Sequence, residues 1–529
     1  MPNPVLDSSK EEIFQLRTTA EGPSGSLPFK EEFLAKAPSG DLFGWTQNVG
    51  MGWDPRKLTG EDFAILSTQG GIRREDGSAV ALGYHTGHWE VGILMAEAAR
   101  ELATNGGIPF AAFCSDPCDG RSQGTTGMFD SLPYRNDAAM IFRRQIRSLP
   151  TAKGVIGVAT CDKGLPAMMM ALAGTQNLPG VLVPGGVSLV SEEAEDLAKI
   201  QTIGSRFAHG EISLDHAAEQ GCKACSSSGG GCQFLGTAAS SQVIGEALGI
   251  SLPHSALCPS GAEIWKDMAV RSARALLELR KDKRTMKDIL DEDSIHNAMV
   301  LHAAFGGSTN LILHLPAIAH AAGLRRPTVE DWTKVNQQIP RLVDALPNGP
   351  QYFATVQVFL AGGVPEVMLH LREAGLLKLE AKTVTSQNLE ANLEWWEGSE
   401  RRRRLREKLS QLDGINPDEV IMSPKAAKAA GLTSTVTFLT GNLAPEGALI
   451  KSTAIDPTMI KADGVYFHEG PAQVFGNEPE AIAAIKAGKV KKGDVLVLAG
   501  IGPMGAGMPE TAQLTMALKY LPFGKEVAL

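Results

Sequence analysis

An alternation of apolar, strand-like runs with helical segments between residues 91 and 183 constrains the fold most strongly. Residues 91–104 have the apolar spacing of an amphipathic helix, and the Asn-Gly-Gly at 105–107 is typical of a helix end. Such alternation favours a parallel sheet with helices on both faces, so we predict an α/β fold with a three-layer N-terminal domain. The predicted strands cover residues 109–113, 154–160 and 180–183, and the further predicted helices cover 136–149 and 167–174.

Two polar loops follow predicted strands in this region, at residues 115–126 and 161–166. In open α/β folds, the loops at the carboxyl ends of parallel strands form the ligand site. We therefore expect the functional site at this edge of the sheet.

The rest of the chain differs in pattern. Residues 200–375 are predicted to be mostly helical, and residues 395–412, which include Arg401–Arg404, to form a solvated charged helix. From about residue 414, short β-type runs separated by Gly, Pro and Asp predict a β-rich, barrel-like domain. We predict three parts: an irregular leader packed on the main domain (1–80), the α/β domain (81–393), and a linker helix with the β-rich domain (394–529).

Charge and hydropathy exclude several classes of protein. The 529 residues include 50 Lys and Arg against 59 Asp and Glu, so a general nucleic-acid or anionic-membrane binder is not expected. Apolar stretches stop well short of the ~18 residues that span a bilayer. Met1–Pro4 lacks the basic segment and apolar run of a signal peptide. We predict a cytoplasmic protein that binds neither nucleic acid nor membrane.

Seven cysteines are too few and too unevenly placed for a disulfide framework in a chain of this length. Several lie in three polar loops, at residues 116–120, 161–163 and 222–232. The last loop opens a predicted helix over 233–248, and a cysteine at a helix N-terminus has a lowered pKa. Two of the loops place a carboxylate beside a cysteine. Because sulfur suits iron and oxygen suits magnesium, Cys-Asp pairs can serve two metals at adjacent positions.

Other interpretations of these cysteines stay open at this point. Cys222 and Cys225 have the spacing of half a zinc site, which His216 and Cys232 complete only with unusual spacing. The same pair has the spacing of a thioredoxin-like redox motif, without the βαβ context of that fold. Isolated cysteines are often inert core residues, an interpretation that suits Cys114 and Cys258. From spacing alone, we predict a metal-dependent enzyme whose reaction is open.

The sequence motifs in these loops and elsewhere resemble those of the dihydroxy-acid dehydratase/phosphogluconate dehydratase family, over nearly the whole chain from about residue 80. Residues 38–44 and 130–137 are most similar to the sugar-acid branch of that family, the D-xylonate dehydratases. The segments that carry the family resemblance are Cys118-Asp119-Gly120, Gly124–Met128, Ser131–Pro133 with Arg135, Cys161-Asp162-Lys163 with Pro166, Gly231-Cys232, Gly236–Ala238, Gly306–Asn310, Gly441–Pro445 and Gly505–Glu510.

The resemblance implies a hydro-lyase that removes water from a 2,3-dihydroxy acid to give a 2-keto-3-deoxy acid. It also implies that Cys161 and Cys232 hold an iron–sulfur cluster, of [2Fe–2S] or [4Fe–4S] type. In some members a third cluster cysteine lies on a loop that corresponds to about residues 86–88, where this chain has none. Cys118 is therefore our candidate for the third ligand, with Cys222 and Cys225 as alternatives.

The resemblance further implies that Asp119, Asp162 and Glu510 hold Mg²⁺. Lys163 matches a lysine that some members carboxylate, which turns a cation into an oxygen ligand, and we assign it a catalytic role. Ser308 and Thr309 are candidates for binding the polyol tail of the substrate, although a simple tight turn explains this loop equally well. Homodimers or homotetramers are usual among relatives.

One feature departs from the family pattern. Members continue past the region of Gly524 into an Arg-Phe-Ser-Gly motif whose serine is taken as the C2 base, and this sequence stops at Leu529. We therefore expect the β-rich domain to be incomplete. The sequence predicts dehydration of D-xylonate or a similar aldonate. The alternatives are a branched-chain dihydroxy acid or 6-phosphogluconate as substrate, or a non-catalytic metal-binding or redox protein.

Overall fold

The computed structural model describes residues 5–6, 8, 10–225, 227 and 229–529; Met1–Pro4 lie outside it. Its central feature is a four-stranded sheet in the order β4-β1-β5-β6, in which β1, β5 and β6 run parallel. The α/β prediction is thus confirmed. The strands are β1 Asp62–Ser67, β2 Ile72–Arg73, β3 Ala79–Ala81, β4 Ile108–Phe113, β5 Ala152–Ala159, β6 Gly180–Pro184, β7 Val436–Leu439, β8 Ala448–Lys451, β9 Ala472–Phe475 and β10 Val495–Leu498.

Helices make up most of the remaining regular structure. In the first half they are α1 Glu31–Lys36, α2 Ser39–Gly50, α3 Val91–Thr104, α4 Asp119–Ser122, α5 Ser131–Arg147, α6 Gly164–Ala173, α7 Leu197–Ile200, α8 Ile203–Ala208, α9 Leu214–Lys223, α10 Thr237–Ala247 and α11 Glu263–Lys281. In the second half they are α12 Met286–Ile289, α13 Glu292–Phe305, α14 Leu311–Ala321, α15 Val329–Gln338, α16 Thr355–Leu360, α17 Gly363–Glu373, α18 Leu389–Gly398, α19 Glu400–Asp413, α20 Pro417–Val420, α21 Pro424–Ala429, α22 Glu478–Lys486, α23 Pro503–Ala506 and α24 Ala512–Lys519.

The central strands are buried on both faces, as expected when helices cover a parallel sheet. Helices α3 and α11 pack against each other, and α5 packs against α6, which also contacts β5 and β6. Trp265 on α11 is fully buried and donates its indole N–H to the carbonyl of Gly185, 3.0 Å away, just after β6. These contacts fix the ends of β5 and β6, from which the site loops leave.

The C-terminal part contains small sheets rather than a barrel in the residues described. Strands β7 and β8 pair antiparallel, and β9 and β10 pair parallel. A separate small apolar cluster that includes Leu496 and Leu514 supports the second pair. The barrel-like expectation is therefore corrected, because each sheet ends at two strands; incompleteness of this domain stays a prediction.

The charged segment around Arg401–Arg404 also differs from expectation. It forms two helices, α18 and α19, instead of one. Arg402 is not simply solvated, since its guanidinium binds both carboxylate oxygens of the buried Glu366 at 2.7 and 2.8 Å. The sequence pattern did not predict this ion pair, because Glu366 lies 36 residues before Arg402.

The chain divides into two compact units, one of residues 1–61 with 106–108 and one of residues 62–105 with 109–529. Helices α1 and α2 belong to the first unit. The predicted boundaries at residues 80 and 393 stay a prediction. Over the described residues, every helix is too short or too polar to traverse a bilayer.

Acid is expected to destabilise the fold through His254. Burial between the rings of Phe359 and Trp396, with centroids 4.1 and 4.5 Å away, lowers the pKa of His254 to about 3. In the unfolded chain the imidazole takes up a proton near pH 6.5, so this stabilisation is lost as pH falls below that value. Between pH 7 and pH 5 the loss amounts to about 2 kcal/mol. His254→Asn is expected to remove this part of the pH dependence in denaturant titrations; an equal loss in both proteins would contradict it.

Candidate active site

The first site loop leaves the carboxyl end of β5. Cys161 follows this strand after one residue and has a backbone φ of 70°, a value that side-chain-bearing residues rarely adopt and that costs about 1–2 kcal/mol. Asp162 and Lys163 come next, and Lys163 caps α6. Cys161 and Lys163 are buried. A strained turn held by a buried strand and helix is a common way to position reactive side chains.

The second loop follows β4 and brings Cys118 to Cys161. The two thiols are hydrogen-bonded to each other, and this bond is the main reason that the pKa of Cys118 falls to about 6. The same bond, together with burial, raises the pKa of Cys161. The arrangement is a thiolate that accepts a hydrogen bond from a neighbouring thiol, and adjacent cysteine sulfurs are the donors that hold iron in iron–sulfur clusters.

Cys232 lies near this pair but not where the sequence suggested. Helix α10 begins at Thr237 rather than at Gln233, so Cys232 is five residues from its start and does not meet the helix dipole. Burial raises the pKa of Cys232 well above its ordinary value, and the charges of Asp162 and Cys118 act in the same direction. The expectation of a pKa lowered by the helix is wrong. Cys222 and Cys225 are both exposed.

Two histidines join the thiols, a feature that the sequence analysis missed. Ligand atoms of His85, His88 and Cys161 lie within 4.8 Å of one another. Burial lowers the pKa of His85 to about 4, so its ring is neutral near pH 7. The spacing of the two histidines in the sequence was visible, but only the fold brings their loop to the end of β5.

The carboxylates form a second group next to the thiols. Lys163 Nζ donates to Asp119 Oδ2 at 2.5 Å, and Ser131 Oγ donates to Asp119 Oδ1 at 2.7 Å. Burial, followed by the charge of Asp119, raises the pKa of Asp162 well above its usual range. Burial favours the neutral form of Lys163, but Asp119 and Asp162 together hold its pKa above the ordinary value.

Glu510 reaches the same group from the C-terminal part. Its charge raises the pKa of Asp162 and that of Lys163, which places its carboxylate near both. Asn310 Nδ2 donates to Glu510 Oε1 and to Thr237 Oγ1, both at 2.8 Å. Asn310 thus links the glycine loop at 305–310 to the carboxylates, a role that the sequence analysis did not assign.

The two substrate candidates differ in their surroundings. Ser308 Oγ is hydrogen-bonded to Thr237 Oγ1 at 2.9 Å, and its backbone N–H donates to Ser240 Oγ at 3.0 Å. Thr309 is half-buried in the same loop. Ser308 is therefore held rigidly by α10, whereas the structure gives Thr309 only its place in the loop.

A second buried cation lies beside His314, which is close enough to Lys163 for the charge of that lysine to affect it. Arg135 is buried on α5, and its guanidinium lies 2.9 Å from His314 Nδ1. Burial lowers the pKa of Arg135 to about 10, which leaves it charged at pH 7. After burial, Lys163 and Arg135 lower the pKa of His314 further, so the imidazole is neutral. This buried cation complements an anionic substrate in a chain of net negative charge.

The residues present suit two kinds of metal. Thiols and imidazoles are soft or borderline donors that suit iron, and the neighbouring carboxylates are hard donors that suit Mg²⁺. A site that sets both donor types at the carboxyl ends of parallel strands defines a metal-dependent α/β enzyme. Comparison with known proteins identifies the family of enzymes to which the chain belongs.

Residues 79–392 match the N-terminal part, and residues 419–529 the C-terminal part, of the dihydroxy-acid/6-phosphogluconate dehydratase family. The chain belongs to this family and is a hydro-lyase, which confirms the resemblance drawn from the motifs. D-xylonate dehydratase YagF of Escherichia coli (strain K12) is 62% identical over 525 residues, which are 99% of this chain and 80% of the relative.

Two further relatives show how similarity to this chain varies within the family. D-xylonate dehydratase YjhG of the same strain is 58% identical, with the same coverage of both chains. A dihydroxy-acid dehydratase of Leifsonia xyli subsp. xyli is 31% identical over 508 residues, which are 90% of this chain and 83% of that protein. The two D-xylonate dehydratases are thus much more similar to this chain than this dihydroxy-acid dehydratase is.

Proposed function

We propose that this protein dehydrates D-xylonate, or a closely similar aldonate, to the 2-keto-3-deoxy acid. The observation that carries the proposal is identity of 62% and 58% to two D-xylonate dehydratases over 99% of the chain. The geometry supports it, because thiols and carboxylates from distant loops meet at one edge of the sheet. Conversion of the substrate needs a leaving hydroxyl at C3 and a proton lost from C2.

The neighbouring cysteines form the proposed cluster site. Cys118 and Cys161 are in contact, and Cys232 lies close enough for the charge of Cys118 to affect it. We assign Cys161 and Cys232 as ligands of an iron–sulfur cluster, and Cys118 is the candidate thiol for the third position. When bound, the cluster supplies a Lewis-acidic iron for the C3 hydroxyl, and Mg²⁺ supplies a second Lewis acid for the substrate carboxylate.

The carboxylate group is the proposed Mg²⁺ site. Asp119, Asp162 and Glu510 provide hard oxygen donors, and the raised pKa of Asp162 reflects burial and then repulsion by the neighbouring carboxylates, which a divalent cation would relieve. Lys163 contacts Asp119 directly and holds a proton at Nζ. It is therefore positioned to stabilise negative charge that develops on the substrate, or to join the ligands in carboxylated form.

The glycine loop is the proposed contact for the polyol tail. Ser308 is fixed by Thr237 and Ser240, so its hydroxyl has a defined direction, and Thr309 lies beside it. Arg135, buried and charged, adds a positive field that favours an acidic substrate.

Asn310 is expected to position Glu510 for Mg²⁺. Its amide donates to Glu510 and to Thr237, so Asn310→Ala removes a hydrogen bond that orients the Glu510 carboxylate. Loss of such an outer partner typically weakens metal binding by about 10- to 100-fold. We expect the Mg²⁺ concentration for half-maximal activity to rise by that factor while saturating Mg²⁺ restores most of the turnover. Activity that no Mg²⁺ concentration restores would contradict a positioning role.

The test of the proposed function is formation of 2-keto-3-deoxy acid by purified protein, reconstituted without oxygen with iron, sulfide and Mg²⁺. D-xylonate, D-gluconate, 6-phosphogluconate and 2,3-dihydroxyisovalerate form the substrate panel. We expect the highest kcat/KM on D-xylonate or a similar aldonate. A preference for the branched-chain or phosphorylated acid would shift the substrate class, and no keto acid from any of them would favour a non-catalytic metal-binding protein.

A further inference from the structure

His88 is a buried histidine that the proposed mechanism does not use. It lies on the loop between β3 and α3 and is fully buried. Among the described residues, its Nδ1 atom has no hydrogen-bond partner. Buried polar atoms are nearly always satisfied, so an orphaned ring nitrogen indicates a missing partner.

The other ring nitrogen fixes the orientation of His88. Its Nε2 lies 2.5 Å from Asp116 Oδ1, an ion-pair contact that orients the ring although its angle does not make a hydrogen bond. Asp116 is fully buried, and its second oxygen accepts the backbone N–H of Gly164 at 3.1 Å. A carboxylate that holds one ring nitrogen leaves the lone pair of the other free for a metal, as in carboxylate–histidine–metal arrangements.

The His88 ring lies at the thiol site. Ligand atoms of His88, His85 and Cys161 lie within 4.8 Å of one another, and Cys161 contacts Cys118. Donor atoms that share one metal ion lie about 3–4 Å apart, so this cluster needs only a small adjustment to hold one. The loop of His88 is also the one on which some relatives carry a cluster cysteine and this chain has none.

We propose that His88 Nδ1, in place of Cys118, is the third protein ligand of the iron–sulfur cluster beside Cys161 and Cys232, oriented by Asp116, so that nitrogen stands where those relatives use sulfur and one iron position stays open for substrate. This inference rests on the proposed function, because it requires a cluster at the thiol site. His85 is the weaker candidate, since its Nδ1 already accepts the backbone N–H of Gly87 at 3.0 Å. A neutral imidazole adds no negative charge, so the reduction potential lies above that of an all-cysteine site.

The test is pulsed electron paramagnetic resonance of the reduced, reconstituted protein, with and without ¹⁵N-labelled histidine. We expect a strong hyperfine coupling from one histidine nitrogen that changes with the isotope. His88→Ala should lose this coupling. His88→Cys should also lose it, retain the iron and sulfide content, and show a lower reduction potential. His85→Ala is the matched control and should keep the coupling.

The outcomes separate the two proposals. A cluster without any strongly coupled nitrogen overturns the His88 ligand and leaves the proposed function intact, as does loss of the coupling in His85→Ala alone. Absence of any iron–sulfur cluster after reconstitution overturns both. Because the coupling is measured first in the unaltered protein, the test does not depend on whether His88→Ala folds.

Discussion

Cys161→Ala is expected to abolish dehydratase activity, with a fall of at least about 10³-fold in kcat/KM. Cys161 contacts Cys118 and lies beside the histidine pair, so its loss removes the thiol that joins the two parts of the cluster site. A 10³-fold fall corresponds to about 4 kcal/mol of lost transition-state stabilisation. Iron and sulfide analysis of the reconstituted variant should show loss of the cluster in parallel.

Cys258→Ala is the matched control for this variant. Cys258 is as buried as Cys161, but it lies in the main apolar core, so its replacement costs packing and leaves the metal ligands in place. It should retain the cluster and its activity once folded. A Cys161→Ala protein with normal iron content and turnover would contradict the assigned cluster site.

Asp162→Asn is expected to separate activity from stability. Burial, together with repulsion from Asp119 and Glu510, raises the pKa of this carboxyl well above its usual range. Without metal, an uncharged amide removes that repulsion, so the metal-free variant should be at least as stable as the unaltered protein in thermal unfolding. Activity should fall by about 10³-fold, because Mg²⁺ loses an anionic ligand.

The exposed Asp282, at the end of α11, provides a matched substitution. Asp282→Asn should change neither Mg²⁺ dependence nor turnover. Titration of Mg²⁺ against activity and calorimetric melting of the metal-free proteins check the two halves of the Asp162 prediction. A marked fall in the melting temperature of Asp162→Asn, or retained activity, would count against a carboxylate held for a metal.

The local pattern of apolar residues was sufficient to predict many helices and strands of the α/β domain. Helix α3 was predicted at its observed bounds, and β4, β5 and β6 within two residues, because each has a clear apolar period and a glycine-rich boundary. Strand β1 was missed inside the predicted irregular leader. It is a buried strand that is not followed by a helix, so the alternation that marks its neighbours is absent there.

In the site, the loops could be predicted from the sequence, but several contacts between them could not. The loops that carry Cys118, Cys161 and Asp162 were identified because they follow strands, and the structure brings these side chains together. The histidine pair, the Asn310–Glu510 contact and the partner of Arg402 were not identified. Each depends on contacts between segments far apart in the chain, and no local period encodes such contacts.

The most direct test of the account is anomalous diffraction at the iron edge from crystals grown without oxygen after reconstitution with iron, sulfide and Mg²⁺. We expect iron density at the sulfurs of Cys161 and Cys232, next to Cys118. We also expect a separate non-anomalous Mg²⁺ peak among Asp119, Asp162 and Glu510. Iron at the exposed Cys222 and Cys225 instead, or an empty space between the carboxylates at saturating Mg²⁺, would contradict two adjacent metal sites of opposite chemical character.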